Sequence, residues 1–211
     1  MKHLVDKTEK MVRERMSGME GSHDYEHIDR VRKMALFLAA REGGDPFIVE
    51  MAALLHDLED WKYSGDGKEK GITREWLRRV GLSEDLAMKI TRAIQEVSYK
   101  GAGVPTPCSS IEGSVVQDAD RLDAMGAIGI ARAFAYGGSK GRPLYEPQET
   151  PELHSTFESY KANKGSTLNH FHEKLLLLKD RINTAAALEI AEERHRFMLE
   201  FIEKFNQERE L

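Results

Sequence analysis

The chain has 211 residues, of which 31 are Lys or Arg and 36 are Asp or Glu, so its formal net charge is −5. That balance argues against a general nucleic-acid coat protein, which needs a positive field to collect phosphates. Hydrophobic residues make up 40% of the chain, enough for one sizeable core, so disorder of the whole chain is not expected. Cys108 is the only cysteine, which excludes an intrachain disulfide and a cysteine-based zinc cage.

No targeting or membrane segment is evident in the sequence. Residues 1–16 lack the apolar run of a secretory signal. The longest apolar run, residues 34–40, is far short of the ~20 residues that span a bilayer. The expectation is a soluble, cytoplasmic protein that binds neither membranes nor nucleic acid.

In chain order, the first half of the sequence predicts one helix after another. Ser22 is the expected N-cap of a helix over residues 22–42, where apolar residues recur every three or four positions until Gly43. Asp45 and Pro46 open the next helix, which is expected to end near Asp60. A polar loop over residues 63–71 follows, and then helices over 73–80 and 84–98, the second capped by Ser83.

The second half continues this pattern around two loops. Pro105 and Pro107 exclude helix from residues 101–107, and residues 137–153 are rich in Gly and Pro. Residues 110–136 predict one or two buried helices, and residues 167–207 are strongly helical, with a break near Asn183 and Thr184. No segment shows the period-two alternation of a strand, so the fold is predicted to be all-α.

Ionisable residues interrupt three otherwise apolar helices. His27 lies in HDYEHIDRV, His56 and Asp57 end the run AALLHD, and Asp118 follows SVVQ. Taken singly, such residues are more often hydrogen-bonded core or surface groups than ligands. Two imidazoles and two carboxylates converging on one core, however, form what a divalent metal requires, because each is costly to bury without the cation. The mixed nitrogen and oxygen set suits Mn²⁺, Fe²⁺, Co²⁺, Ni²⁺ or Mg²⁺.

The order of these residues resembles the H…HD…D signature of the HD-domain metal-dependent phosphohydrolases. The longer strings HDLEDWK, AIGIARAFAYGGSKGRP and NHFHEKLLLLKD are similar to a small single-domain bacterial branch usually labelled YedJ- or YpgQ-like. The resemblance implies one compact multi-helix domain over residues 1–211, with its core over 22–136 and C-terminal helices over 167–207 packed on it. It also implies one divalent ion, with Mn²⁺ favoured and Zn²⁺ among the alternatives. The ligands it implies are His27, His56, Asp57 and Asp118.

The same resemblance implies hydrolysis of nucleoside triphosphates, including deoxy forms, to monophosphate and pyrophosphate. Two alternatives stay open: a 5′-nucleotidase or other phosphomonoesterase, and a metal-dependent nucleotide sensor that does not turn over. No histidine lies between His56 and His154. A dinuclear, phosphodiesterase-type site is therefore disfavoured, because those enzymes place extra histidines before the final aspartate. The expected partner is a small-molecule nucleotide, and a homodimer is left open.

Asp60 is predicted to be the general acid/base. It lies three residues after Asp57, so a continuing helix would keep it near the same face. Glu59 would point about 100° away and is the weaker candidate. The alternative is that Asp60 only ends the helix and pairs with Lys62 or an arginine.

Three cationic residues are candidate phosphate contacts. Lys62 follows the HD doublet, and Lys140 and Arg142 lie in the Gly-rich string GGSKGRP. An ordinary exposed basic loop is an equally good interpretation of the last two. Among other residues, His170 and Lys174 are four apart and could reach the site, whereas His3, His154 and His195 are interpreted as surface residues.

Overall fold

The computed structural model describes residues 1–17, 24–59 and 71–210. Within these ranges it contains ten α-helices, two 3₁₀ turns and no strand, which confirms the all-α prediction. The α-helices are α1 Lys2–Met16, α2 Tyr25–Glu42, α3 Pro46–Leu55, α4 Ile72–Arg79, α5 Glu84–Gln95, α6 Ile111–Asp123, α7 Gly126–Ser139, α8 Phe157–Ala162, α9 Thr167–Glu173 and α10 Ala185–Arg209. The 3₁₀ turns are Leu175–Leu177 and Lys179–Arg181. Nowhere in the described ranges is a helix long and apolar enough to cross a membrane.

The chain divides into two compact units. The first unit consists of Met1–Ser98 and Pro107–Ala119, and the second of Tyr99–Thr106 and Asp120–Leu211. The first unit is built around α3, which packs against α1, α2 and α5. The second unit pairs α10 with α7, and aromatic rings fill the space beside them: Phe201 lies 5.9 Å from both Phe134 and Phe171, measured between ring centroids.

The N-cap of α2 differs from the prediction. The helix begins at Tyr25 and its cap is Asp24, whose side chain accepts a hydrogen bond from the His27 N–H at 3.0 Å. Ser22, the predicted cap, lies outside the described residues. The Asp24 carboxylate adds a side-chain acceptor for this N–H, and its charge suits the positive end of the helix. At the other end, Gly43 terminates α2 as predicted, with φ of 96°.

The start of α3 confirms the prediction, but its end does not. Asp45 caps the helix by accepting from the Phe47 N–H at 2.9 Å, and Pro46 occupies the first turn. The helix ends at Leu55 rather than near Asp60. The Leu58 N–H bonds to the Leu55 carbonyl at 3.2 Å, three residues back, so the chain tightens into a turn here. His56 and Asp57 therefore lie just beyond the last turn of a buried helix, and both are themselves buried.

Helix α6, which carries Asp118, is anchored at its N-terminal end within the first unit. The Glu112 carboxylate accepts from the Asp45 N–H at 3.0 Å, and so ties the start of α6 to the start of α3. The Gln117 side chain, fully buried, donates to the backbone carbonyl of Glu96 just after α5. These contacts fix both the position and the rotation of the helix.

The remaining predicted helices are found with shifted ends, whereas the polar loop predicted over residues 63–71 lies, apart from Gly71, outside the described residues. Ser83 caps α5, accepting from the Leu86 N–H at 3.5 Å as expected. Residues 110–136 form the two helices α6 and α7, and α7 continues to Ser139 into the predicted loop. The helix break predicted near Asn183 and Thr184 is present, because α10 begins directly after Thr184.

The glycines of α7 provide a test of close packing in the second unit. A Cβ at Gly129 would overlap the Ala124 carbonyl oxygen, a backbone atom that can yield only if the chain itself shifts. We expect Gly129→Ala to lower the free energy of unfolding by about 1–3 kcal/mol, because overpacking forces the backbone to shift. Gly138→Ala is the matched control: nothing lies within 4 Å of its Cβ position, so helix propensity should make it neutral or stabilising. Urea unfolding of both variants measures the difference, and equal stabilities would contradict the prediction.

Candidate metal centre

Three predicted ligands meet in the first unit, where the beginning of α2 lies beside the turn after α3. His27 Nε2 is 3.4 Å from Asp57 Oδ2, and His56 Nε2 is 3.6 Å from Asp57 Oδ1. One donor atom from each of the three side chains lies within 4.8 Å of the other two. The two imidazole rings meet edge to face, with centroids 5.3 Å apart. All three residues are buried, with relative exposures of 1% for His27 and 6% for His56 and Asp57.

The proton on His56 can be assigned from its neighbour. Nδ1 lies 2.8 Å from the Ala53 carbonyl oxygen. Because a carbonyl only accepts, Nδ1 must be the donor, and a neutral ring then carries its lone pair on Nε2. That lone pair lies on the side of the ring nearest Asp57. A histidine ligand held through its other ring nitrogen by a backbone carbonyl is the usual arrangement in metal sites.

The donor set fits a divalent cation. The two distances from imidazole nitrogen to Asp57 oxygen exceed the 2.7–3.2 Å typical of N–H···O hydrogen bonds. Two imidazole nitrogens and a carboxylate buried at this spacing leave room for an ion that all three can bind. Such a nitrogen and oxygen set suits Mn²⁺, Fe²⁺, Co²⁺, Ni²⁺ or Zn²⁺.

Local structure explains why His27 is in place. It lies in the first turn of α2, and its N–H is the group that the Asp24 cap accepts. The cap therefore fixes the backbone that carries the ligand. Tyr25 adds a second anchor, because its hydroxyl donates to Glu9 on α1 at 2.9 Å.

Asp118, the fourth predicted ligand, lies in the same unit on α6. It is completely buried, with 0% exposure. The three-residue cluster, defined by its 4.8 Å limit, does not include it. Ligation by Asp118 therefore stays a prediction.

The other predicted residues have mixed outcomes. Asp60 and Lys62 lie outside the described residues. The continuing helix that would have placed Asp60 beside Asp57 ends at Leu55, so that part of the reasoning was wrong. In the second unit, Lys140 and Arg142 lie over the Tyr136 ring, at 5.5 and 5.8 Å from its centroid.

Glu59 has a role that the sequence did not reveal. Its carboxylate accepts hydrogen bonds from the Thr73 N–H at 2.7 Å and from the Gly71 N–H at 3.0 Å. These donors lie at the start of α4, where a carboxylate also interacts favourably with the helix dipole. Glu59 therefore joins the turn after Asp57 to α4 and is not placed as an acid or base.

This arrangement gives an expected result for Glu59→Ala. Losing the two hydrogen bonds should lower stability by about 0.5–2 kcal/mol, as for other helix caps. Turnover at saturating Mn²⁺ should stay within tenfold of wild type, because a positioned acid or base usually contributes 10²–10⁴-fold. Thermal melting and steady-state kinetics test both statements. Ser83→Ala, which removes the cap of α5, is the matched control, and a loss of turnover beyond 10²-fold in Glu59→Ala alone would contradict this interpretation.

The histidines interpreted as surface residues do not all lie there. His3 is exposed, but His154 is buried, with 4% exposure, and that prediction was wrong. Its largely polar neighbourhood in sequence, residues 146–160, gave no signal of burial. His195 is half-buried on α10, and burial lowers its pKa, with Lys179 adding to the effect.

Comparison with known proteins finds relatives over most of the chain. A family model described as HD domain matches residues 24–125, which include all four predicted ligands. The YpgQ protein of Bacillus subtilis strain 168 is 40% identical over 189 residues, covering 88% of this chain and 84% of YpgQ.

Solved structures also match over nearly the whole chain. A Lactobacillus plantarum protein has a TM-score of 0.90 at 33% identity, covering 99% of this chain and 97% of that one. Bacillus subtilis YpgQ in complex with ADP has a TM-score of 0.76 at 36% identity, covering 97% of both chains. An HD-superfamily hydrolase from Bacillus thuringiensis has a TM-score of 0.74 at 44% identity, covering 98% of this chain and 97% of that one.

Proposed function

Because the chain belongs to the HD-domain hydrolase family, we propose that it is a metal-dependent phosphohydrolase that converts nucleoside triphosphates, deoxy forms included, to monophosphate and pyrophosphate. The observation that carries this proposal is the buried cluster of His27, His56 and Asp57. Support for a nucleotide substrate comes from YpgQ, whose structure was solved with ADP.

The ligand residues have defined tasks in this proposal. His27, His56 and Asp57 hold one divalent ion, with Mn²⁺ favoured, and Asp118 supplies a fourth ligand. When bound, such an ion stabilises charge on phosphoryl oxygens and lowers the pKa of water. The hydrogen bond from His56 Nδ1 to Ala53 keeps the ring in the tautomer that leaves Nε2 free of a proton. The burial of the cluster keeps competing water away from these side chains.

Lys62, Lys140 and Arg142 are assigned to the phosphates of the substrate. Lysine and arginine give charge-assisted hydrogen bonds to phosphate oxygens. Arg142 is half-buried, and its Nη2 donates to the Asn163 carbonyl at 2.6 Å. A guanidinium has five N–H donors, so this contact positions the group while leaving donors for a phosphate.

Asp60 is assigned the transfer of a proton from the attacking water. Asp60→Asn should keep its metal and its nucleotide affinity while turnover falls by ~10²-fold or more. The amide preserves the shape of the side chain but cannot take up a proton. Metal analysis, nucleotide titration and steady-state kinetics on one preparation provide the test. A variant with near-normal turnover, or one that loses its metal, would remove Asp60 from this role.

Product analysis tests the proposed reaction. The full chain is incubated with a panel of ribo- and deoxyribonucleotides and Mn²⁺, Mg²⁺, Co²⁺ or Zn²⁺, and both products of each reaction are identified. Pyrophosphate with nucleoside monophosphate is the expected pair. Orthophosphate instead would show a phosphomonoesterase, and nucleotide binding without product would show a sensor. His56→Ala is the control for a contaminating phosphatase.

A further inference from the structure

Four side chains of the second unit form an aromatic and cationic group that the proposed reaction does not use. The Tyr99 and Tyr160 rings meet edge to face with centroids 5.3 Å apart. The Lys174 ammonium lies 5.2 Å from the Tyr99 centroid and 5.9 Å from the Tyr160 centroid. The His154 ring meets the Tyr160 ring at 6.1 Å. We call these four residues the Lys174 cluster.

Hydrogen-bonding capacity in the Lys174 cluster is largely unused. His154 is 4% exposed, and neither of its ring nitrogens has a hydrogen-bond partner among the described residues. Within the same ranges, Lys174 has no ion pair and the Tyr160 hydroxyl has no hydrogen bond; both residues are half-buried and within reach of a ligand. Most buried polar atoms in folded proteins are paired, so the His154 imidazole is unusual, and beside it the Lys174 ammonium and the Tyr160 hydroxyl are available to an incoming acceptor.

The charges around the cluster favour an anion. Arg181 lies 5.0 Å from the Tyr99 centroid and is held there by backbone carbonyls, among them those of Gly101 at 3.2 Å and Val104 at 3.3 Å. It adds positive charge while its own donors are engaged. The carboxylate of Glu173, next to Lys174 in the chain, instead accepts from the Glu152 N–H at 3.1 Å. Lys174 and Arg181 therefore place positive charge around Tyr99, although the whole chain has a net charge of −5.

Tyr99 completes the group as a neutral donor. Burial raises its pKa to about 12, so the phenol keeps its proton at neutral pH. Its hydroxyl donates a long hydrogen bond, 3.5 Å, to the Glu173 carbonyl, and no other within the described part of the chain. The cluster thus holds one ammonium, two phenols and an imidazole, and no carboxylate of its own.

We propose that the Lys174 cluster binds a phosphate group without the help of a metal ion. Lysine is a common phosphate-binding residue because its ammonium is a compact charge with three donors. The Tyr160 hydroxyl supplies a further donor to the remaining phosphate oxygens, and the His154 ring packs against the Tyr160 ring from the protein side. The phosphate comes either from an inorganic anion or from a nucleotide, since the recognised chemistry is the same.

The test is calorimetric titration of the full chain with pyrophosphate in EDTA, which excludes binding through a divalent ion. Lys174→Met should weaken pyrophosphate binding at least tenfold while removing little side-chain volume. Lys161→Met is the matched control: that lysine is exposed on α8 and lies 5.3 Å over the Phe157 ring, so it loses the same charge outside the cluster. Its affinity should stay within twofold of wild type.

A second variant protects the test against a folding defect. Tyr160→Phe keeps the ring and its packing but removes the hydroxyl. It should weaken pyrophosphate binding about threefold, the loss expected for one modest hydrogen bond, and leave the melting temperature unchanged. Adenosine monophosphate, titrated in parallel, identifies the source: Lys174-dependent binding of either probe supports the site and names its ligand. Absence of binding to the wild type, or equal losses in Lys174→Met and Lys161→Met, would overturn it.

Discussion

Asp57→Ala is expected to lose the divalent metal and the hydrolase activity together. The two carboxylate oxygens face different imidazoles, Oδ2 at 3.4 Å from His27 and Oδ1 at 3.6 Å from His56. Alanine removes the only anion of this three-residue cluster. Loss of an outer partner of a ligand already costs 10–100-fold in metal affinity or activity, so loss of the ligand should exceed about 100-fold in both.

Mn²⁺ titration followed by electron paramagnetic resonance gives the affinity, and product formation at saturating Mn²⁺ gives the activity. Asp85→Ala is the control, because this aspartate is exposed on α5 and pairs only with Lys89 at 2.8 Å among the described residues. It should behave as wild type in both assays. An Asp57→Ala protein that binds Mn²⁺ normally would show that the cluster is not the metal centre.

Asp118→Ala should give a loss of similar size, although its side chain is outside the three-residue cluster. Asp118 is completely buried on a helix whose start is tied to α3 by the bond between Glu112 and Asp45. A divalent ion attracts a buried carboxylate, and the metal centre lies in the same unit as Asp118. We therefore expect Mn²⁺ affinity and turnover both to fall by more than about 100-fold.

The control for Asp118 is Asp120→Ala on the same helix. Asp120 is two residues beyond Asp118, so its side chain points about 200° away from that of Asp118 around the helix axis. It should keep Mn²⁺ affinity within about threefold of wild type. If Asp118→Ala folds and binds Mn²⁺ as well as Asp120→Ala does, then Asp118 is not a ligand, and its burial needs a structural explanation.

Local sequence signals predicted much of the fold. Asp45 with Pro46, and Ser83, each mark a helix start through interactions within one turn, and the structure has helices beginning at these points. The cluster of His27, His56 and Asp57 was also predictable, since charged groups on apolar helices must find compensation. These features depend on residues close in sequence or on a general cost of burial.

Features set by tertiary contacts were not predictable. Ser22 and Asp24 are both good cap residues, and the buried Tyr25, whose hydroxyl binds Glu9 on α1, helps to place the helix start after Asp24. No glycine or proline marks the end of α3, because the string AALLHDLED contains neither. The burial of His154 depends on distant residues such as Gly103, whose N–H donates to the His154 carbonyl at 3.0 Å, and a pattern read along the chain does not include them.

The double hydrogen bond of Glu59 has an evolutionary consequence. By binding the N–H groups of Gly71 and Thr73, it holds together the two ends of the segment 60–70, which contains Asp60 and Lys62. The position of the ligand-bearing turn relative to α4 is therefore set by two direct hydrogen bonds and not by the chain between them. Relatives can then differ in the number of residues between Glu59 and Gly71 while the metal ligands keep their place.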